Sequence, residues 1–286
     1  MACELHLGQA DGGFEWSYQK AFNTLRKTEC LAGLFFEADG DGDLDLYLAM
    51  GGYESAEDSP LLQDVLLLND GRGQFFAAPA GRLPAFPTSS SVVTAADVDR
   101  DGDLDLFVGG RVIPGKYPTA PSSRLLINDG RAGFSDGTAR LAPVLTTAGM
   151  VTGGCWSDVD GDGWPDLMIT TEWGPVKCLV NRIDENKGFV DETETRGLKR
   201  WLGWWNSILP MDTDQDGDMD FIVGNTGLGS KYKASTKKPA VLFYGAFDEG
   251  KGKQIIEAAF KDGRFVPVRG LSCSSSRMDW ISKQFR

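Results

Sequence analysis

Histidine is almost missing from this chain: His6 is the single copy in 286 residues. A Ser-His-Asp or Cys-His catalytic arrangement would have to be built on that one residue, and an incidental strand position explains it better. Cysteine is sparse and odd in number. Cys3, Cys30, Cys155, Cys178 and Cys273 are scattered, with neither the even count of a disulfide framework nor the C-x-x-C pairs of a zinc site, so they read as small apolar residues. No run approaches 18 apolar residues, so no membrane-spanning helix is expected. The opening MACELHLGQADGG joins no basic stretch to an apolar one, and no signal peptide is visible. Helical periodicity is lacking too. Only SPLLQDVLLLN (59–69) suggests a short helical turn ahead of a strand.

What the chain does have is acid and glycine. Asp and Glu outnumber Lys and Arg by 41 to 29, for a net charge of −12, and 36 glycines suit an all-β chain rich in turns. A hydrophobic content of 41% is enough for a packed core.

The acid is patterned. In ADVDRDGDLDLFVGG, acids fall at alternate positions 1, 3, 5, 7 and 9 from Asp97, with Gly102 at position 6. Ca²⁺ takes six to eight oxygens in flexible geometry, and glycine permits the sharp turn that wraps a chain around it. The opening resembles an EF-hand loop. Position 12, however, is Val108 rather than a bidentate Glu, and the flanks VVTAA and LFVGG read as strands. The spacing therefore predicts a cation-binding turn inside a β-hairpin.

The same frame occurs four times. Its members are Glu37, Asp39, Asp41, Asp43 and Asp45; Asp97, Asp99, Asp101, Asp103 and Asp105; Asp158, Asp160, Asp162, Trp164 and Asp166; and Asp212, Asp214, Asp216, Asp218 and Asp220. First positions are 60, 61 and 54 residues apart, which is the signature of a repeat architecture. Tryptophan at position 7 cannot offer a side-chain oxygen. Positions 1, 3, 5 and 9 are therefore expected to supply carboxylates and position 7 its carbonyl, for about four Ca²⁺ ions. A second element keeps the same period: LHLGQADGGF, LLLNDGRGQF, LLINDGRAGF and CLVNRIDENKGF end at Phe14, Phe75, Phe134 and Phe189. Each reads as strand, turn and strand. One unit then holds four strands, the content of a propeller blade. The expected organisation is one β-propeller segment, 1–286, with repeats near 1–28 (outer part of a preceding blade), 29–86, 87–146, 147–200 and 201–286: about four complete blades and partial terminal ones.

Four bound Ca²⁺ would bring the net charge to about −4, so the acidity calls for no basic partner and argues against nucleic acid. Lys231, Lys233, Lys237 and Lys238 read as an exposed loop. Paired carboxylates also serve glycosidases, but four copies in one register imply four equivalent roles, whereas catalysis needs one asymmetric site. Six of eight tryptophans lie between Trp156 and Trp205, where they can pack between blades or meet sugars or protein.

The D-x-D-x-D-G-x-x-D turn at a period near 60, set between strands, resembles the FG-GAP/VCBS repeats of integrin-α-like β-propellers. GGRVIPGKYP (109–118), DGDGWPDLMITTEWGPV (160–176), GWWNSI (203–208), GNTGLGSKYKAS (224–235) and FYGAFDEGKGKQIIEAAFKDGRFVPVRG (243–270) are similar to a bacterial VCBS-repeat branch. The resemblance implies calcium in the acid turns and a place within a larger exported protein. It also departs from the family: AFDEGKGKQ (246–254) carries Ala246, Gly250 and Gln254 where a fifth turn would hold acids, leaving Asp248. The expectation is a fragment of an extracellular, cell-surface or periplasmic protein, a calcium-binding module for protein or glycan partners with no catalytic constellation. The propeller of a lyase-like, polysaccharide-degrading enzyme is the alternative, by analogy of fold.

Overall fold

Strand follows strand in the order of the repeat. The computed structural model describes residues 3–227, 230, 232–235, 237–247 and 252–270. Lys231, Asp248, Gly250, Cys273 and the closing KQFR lie outside the described residues. A hairpin of β1 (Leu5–Gly8) and β2 (Phe14–Ser17) comes first, then a 3-10 turn at Ala21–Leu25.

The first blade is an antiparallel sheet of β3 (Glu29–Phe36), β4 (Asp45–Gly51), β5 (Val65–Asn69) and β6 (Phe75–Ala77). The second repeats it with β7 (Ser90–Ala96), β8 (Asp105–Gly110), β9 (Arg124–Asn128) and β10 (Phe134–Asp136). The third holds β11 (Met150–Ser157), β12 (Asp166–Pro175), β13 (Lys177–Arg182) and β14 (Gly188–Asp191). Among the described residues, helix is confined to one four-residue turn, Thr138–Leu141, and short 3-10 segments, including Pro60–Leu62 just ahead of β5. The fold is all-β, built of four-stranded propeller blades.

The last repeat differs from the expected four-stranded unit. β15 (Leu202–Met211) pairs with β16 (Asp220–Asn225), while β17 (Ala240–Gly245), β18 (Gln254–Lys261) and β19 (Arg264–Pro267) form a sheet of their own. β12 is long enough that its far end, Glu172–Pro175, also pairs with Leu202–Trp204 of β15, joining the third blade to the fourth unit.

The second strand of each blade explains the apolar runs after each acid turn. β4 and β8 are buried along their whole length, because a strand between two neighbouring blades must be apolar on both faces. Tyr47 and Ala49 on one face of β4 meet Leu106, Val108 and Leu126 of the second blade. Leu46, Leu48 and Met50 on the other face meet Phe22 and Leu25 of the N-terminal segment. Phe107 and Leu125 pack in turn on Val151, Leu167 and Ile169 of the third blade. Each such buried Leu, Ile, Val, Met or Phe contributes about 1.5–3 kcal/mol. Stability therefore accrues at successive blade interfaces.

The first strand of every unit carries a bulge. Its ladder with the second strand shifts register at Leu31, Ser91, Thr152 and Asn206. Each lies six residues before the first acid of its turn (31 and 37, 91 and 97, 152 and 158, 206 and 212). A bulge bends a strand and adds twist, so all four turns leave the sheet along the same path.

Candidate metal centre

All four acid turns join the first strand of a unit to the second, at one end of the blades: 37–44 between β3 and β4, 97–104 between β7 and β8, 158–165 between β11 and β12, and 212–219 between β15 and β16. The glycine at position 6 has positive φ in every copy: Gly42 (92°), Gly102 (99°), Gly163 (82°) and Gly217 (95°). That is a conformation glycine adopts without steric cost. Position 4 is left-handed too, through Gly40, Arg100, Gly161 and Gln215.

The loop folds around its own carboxylates. At position 1, Glu37 accepts N–H bonds from Asp39, Gly40 and Gly42 (3.2, 2.9 and 2.7 Å), and Asp158 accepts from Gly161, Asp162 and Gly163. Asp97 accepts from Gly102, and Asp212 from Gln215 and Gly217. At position 5, Asp41, Asp101, Asp162 and Asp216 each accept from the amide of position 7, two residues on. These local Asx-type bonds hold the turn open and its acids inward.

Position 9 does something further. Asp45, Asp105 and Asp166 are buried and accept the position-2 amides of Ala38, Val98 and Val159 (3.1, 3.1 and 2.9 Å) through Oδ2. Through Oδ1 they accept the amides of Asn69, Asn128 and Asn181 (2.8, 2.9 and 2.7 Å). Each clamps its turn to the third strand of its own blade. Burial is the first cause that raises these carboxyls from the usual range, Asp45 to about 6, Asp105 to about 7 and Asp166 to about 6, with the turn's other acids adding to it. Asp220 is exposed and bonded by the Thr213 amide and hydroxyl, which hold its carboxyl below the usual value.

Carboxylate oxygens converge within 4.8 Å of one another in each turn, from Glu37, Asp39 and Asp45; Asp97, Asp99 and Asp101; Asp158, Asp160 and Asp166; and Asp212, Asp214 and Asp220. The expected donors at positions 1 and 3 meet in all four, joined by position 9 in three turns and by position 5 in the second. Oδ1 atoms of Asp39, Asp43, Asp97 and Asp99 are buried with no hydrogen-bond partner. Burial and the neighbouring Asp41 and Asp101 raise the carboxyls of Asp39 and Asp99. Buried, unpaired, mutually repelling oxygens are what a hard oxygen-seeking cation neutralises, so the residues present fit Ca²⁺.

The third turn is different. Arg182 places Nη2 2.6 Å from Asp160 Oδ2 and Nη1 2.7 Å from Asp162 Oδ2, so a guanidinium already answers two of its acids. Its position-7 residue, Trp164, lies beneath Arg100 of the second turn.

The asparagines are functional residues that the acid pattern did not reveal. Asn128 donates through Nδ2 to Ala38 O in the first turn, and Asn181 likewise to Val98 O in the second. Each binds the acid turn of the preceding blade while its backbone holds its own. Their signal was present in the sequence, as the Asn of LLLND, LLIND and CLVNR.

Among the tryptophans, Trp156 packs on Phe189 of its own blade, against the core shared with the second blade, and Trp205 packs against the third blade, whereas Trp173 and Trp204 are half-exposed at the opposite end. The four described cysteines are free and buried or half-buried. Lys233, Lys237 and Lys238 are exposed. No described helix is long and apolar enough to cross a membrane.

A search of curated proteins finds no match to this chain. A family model described as an FG-GAP-like repeat matches residues 38–108 and 158–223, two stretches that each hold two acid turns, the first turn without Glu37. The two matched stretches, with their repeated acid turns and four-stranded blades, are thus similar to FG-GAP-like repeats.

Proposed function

We propose that the acid turns hold calcium, about one ion each, and that the chain is a calcium-stiffened propeller module of an exported protein, working outside the cytoplasm as a binding scaffold for protein or glycan partners. The observation that carries the reading is the set of partnerless buried oxygens on Asp39, Asp43, Asp97 and Asp99. Bound calcium supplies positive charge that offsets the repulsion among the carboxylates. The chain's residues do the rest. Positions 1, 3, 5 and 9 present carboxylates, position 7 presents its carbonyl, and the amides fix their orientation before the ion arrives.

Extracellular calcium modules bind with constants on the order of 10⁻⁴–10⁻³ M. At roughly 1 mM free ion and a constant near 10⁻⁴ M, each site adds about 1.4 kcal/mol, RT ln(1 + [L]/Kd). Four sites add about 6 kcal/mol, comparable to the net stability of a whole domain, about 5–15 kcal/mol. Native mass spectrometry should count four calcium ions, and chelator should lower the melting temperature by more than about ten degrees. A chain that binds no calcium and melts identically in chelator would overturn the reading.

A further inference from the structure

The ends of the strands away from the acid turns gather the residues that the calcium reading leaves unused. Trp173 lies seven residues along β12 from Asp166, about 23 Å away at the rise of an extended strand. It is the bulged residue between Glu172 and Gly174 in the ladder with β15, and its φ is +61°. That value is a rare one for a bulky side chain, and bulges re-aim side chains.

Its ring meets two others. Trp204 lies 5.4 Å away, tilted by 37°, and Tyr232 lies 5.8 Å away, edge-on at 87°. Tyr232 also reaches Trp204 at 6.3 Å. All three are half-buried, not enclosed.

A hydrogen-bonded chain holds this group in place. Trp173 Nε1 donates to Tyr117 Oη at 2.6 Å, the Tyr117 hydroxyl donates to Glu172, and Arg111 pairs with the same carboxylate. Glu172 is only 4% exposed, so its charge is answered inside the structure. Arg111 Nη1 is left buried without a partner. Thr119, two residues beyond Tyr117, donates to Tyr244 Oη, over whose ring Lys253 sits at 5.1 Å.

Exposed cations stand in the same loop. The loop carrying Tyr232 also carries Lys233, Lys237 and Lys238, all exposed. In a chain of net charge −12, exposed cations beside a fixed aromatic group mark a surface for an anion. The exposed halves of three rings offer roughly 300 Å², well short of the ~800 Å² that each side of a protein interface buries. A sugar ring matches better, with apolar C–H faces for the indoles and polar edges for the rim.

We propose that Trp173, Trp204 and Tyr232, with the lysines of residues 233–238, form a binding platform for a carboxylate-bearing glycan, at the end of the blades opposite the acid turns. The proposal deepens the scaffold reading by naming the partner class. It does not depend on calcium being the ion in the turns.

The test is titration of the calcium-saturated chain with trigalacturonic acid, read by tryptophan fluorescence and calorimetry, with maltotriose as the neutral control. Bound calcium is counted in the same samples, which separates failure of this proposal from failure of the calcium reading. Trigalacturonic acid should bind and shift the fluorescence. Binding should weaken severalfold between about 50 and about 300 mM salt, and maltotriose should bind far more weakly. Trp204→Ala should reduce affinity at least about tenfold, as loss of an anchoring tryptophan does, and Trp204→Phe should retain most of it. The double variant Lys237→Glu/Lys238→Glu, confined to exposed side chains, tests the charge without touching the rings and should reduce affinity severalfold. Absence of binding, equal binding of maltotriose, or full affinity in a folded Trp204→Ala or in the lysine variant would each overturn the proposal.

Discussion

The guanidinium of Arg100 lies 4.1 Å from the centroid of the Trp164 indole, so position 4 of the second acid turn rests on position 7 of the third. Two neighbouring turns are thereby tied at their tips. Both residues occupy places where the other copies have different side chains, Gly40, Gly161 and Gln215 at position 4 and Asp43, Asp103 and Asp218 at position 7.

Removing this stack should be mildly destabilising. An exposed cation–π contact contributes about 0.5–1 kcal/mol, so Arg100→Ala should lower the melting temperature by about 1–4 °C. Arg100 holds φ at +61°, a conformation glycine adopts more readily. Arg100→Gly should therefore melt above Arg100→Ala, and a thermal scan of the pair reversing that order would contradict the assignment.

Arg182 makes a sharper prediction. It binds Asp160 and Asp162 in the third turn, so it competes with any cation for those oxygens. Arg182→Ala should cost about 1.5–3 kcal/mol in chelator, the range for hydrogen bonds to charged groups. In excess calcium much of that loss should be recovered, because the freed acids bind the ion. The gap between melting curves with and without calcium should widen. A gap that narrows would show that the arginine assists the site.

Acidification should act in opposite directions with and without calcium. Asp45, Asp105 and Asp166 have folded-state values raised to about 6, 7 and 6, above their unfolded values, chiefly by burial. A raised acid penalises the folded state while ionised, and the penalty is relieved as pH falls through the folded value toward the unfolded one. In chelator, stability should therefore rise between about pH 7 and about pH 4. In saturating calcium, protons displace the ion over that window and stability should fall. Parallel curves in the two conditions would exclude calcium from these carboxylates.

Cation choice follows from the donors. All-oxygen ligands on a flexible loop suit Ca²⁺ better than Mg²⁺, which requires near-ideal octahedral geometry. Millimolar Mg²⁺ should reproduce only a small part of calcium's thermal stabilisation, and a full effect of Mg²⁺ would refute the selectivity.

The asparagines can be ranked against one another. Asn128 is buried and donates through Nδ2 to Ala38 O at 3.0 Å and Leu104 O at 3.3 Å. Asn69 makes one such bond, to Leu44 O at 3.1 Å, on an exposed side. Asn128→Asp would set a carboxylate against two carbonyls and should cost about 2–4 kcal/mol, while Asn69→Asp should cost less than half of that. Urea titration of both variants reads the difference, and equal losses would remove the inter-blade role given to Asn128.

These asparagines show where the sequence is legible. The turns at 37, 97, 158 and 212 could be found from spacing alone, because alternate acids around a glycine have few other uses. So could the β-hairpins ending at Phe75 and Phe134, whose Asn-Asp-Gly turns are local chemistry. Asn128 was visible as a turn residue, but its bond to Ala38 spans 90 positions of chain and no local pattern encodes it. Arg182 and Arg100 were hidden for the same reason: their partners are neighbours only after the blades have packed. The pairing of β12 with β15, where a separate fourth blade was expected, carries a bulge at Trp173, and a bulge leaves no mark in composition.

The bulges have one more consequence. From bulge to ninth-position aspartate every unit spans the same interval, 31–45, 91–105, 152–166 and 206–220. From that aspartate to the clamping asparagine the first three units differ, 45 to 69, 105 to 128 and 166 to 181. Fifteen residues thus behave as an exchangeable cassette of fixed length, because one added residue would turn every following side chain to the opposite face. The segment after it behaves as an adjustable spacer. A chimera that swaps residues 91–105 for 152–166 should fold with its ladder intact, whereas a single insertion inside the cassette should not. Variation in length, and with it new surface, falls outside the cassette, most of it in the loops at the aromatic end.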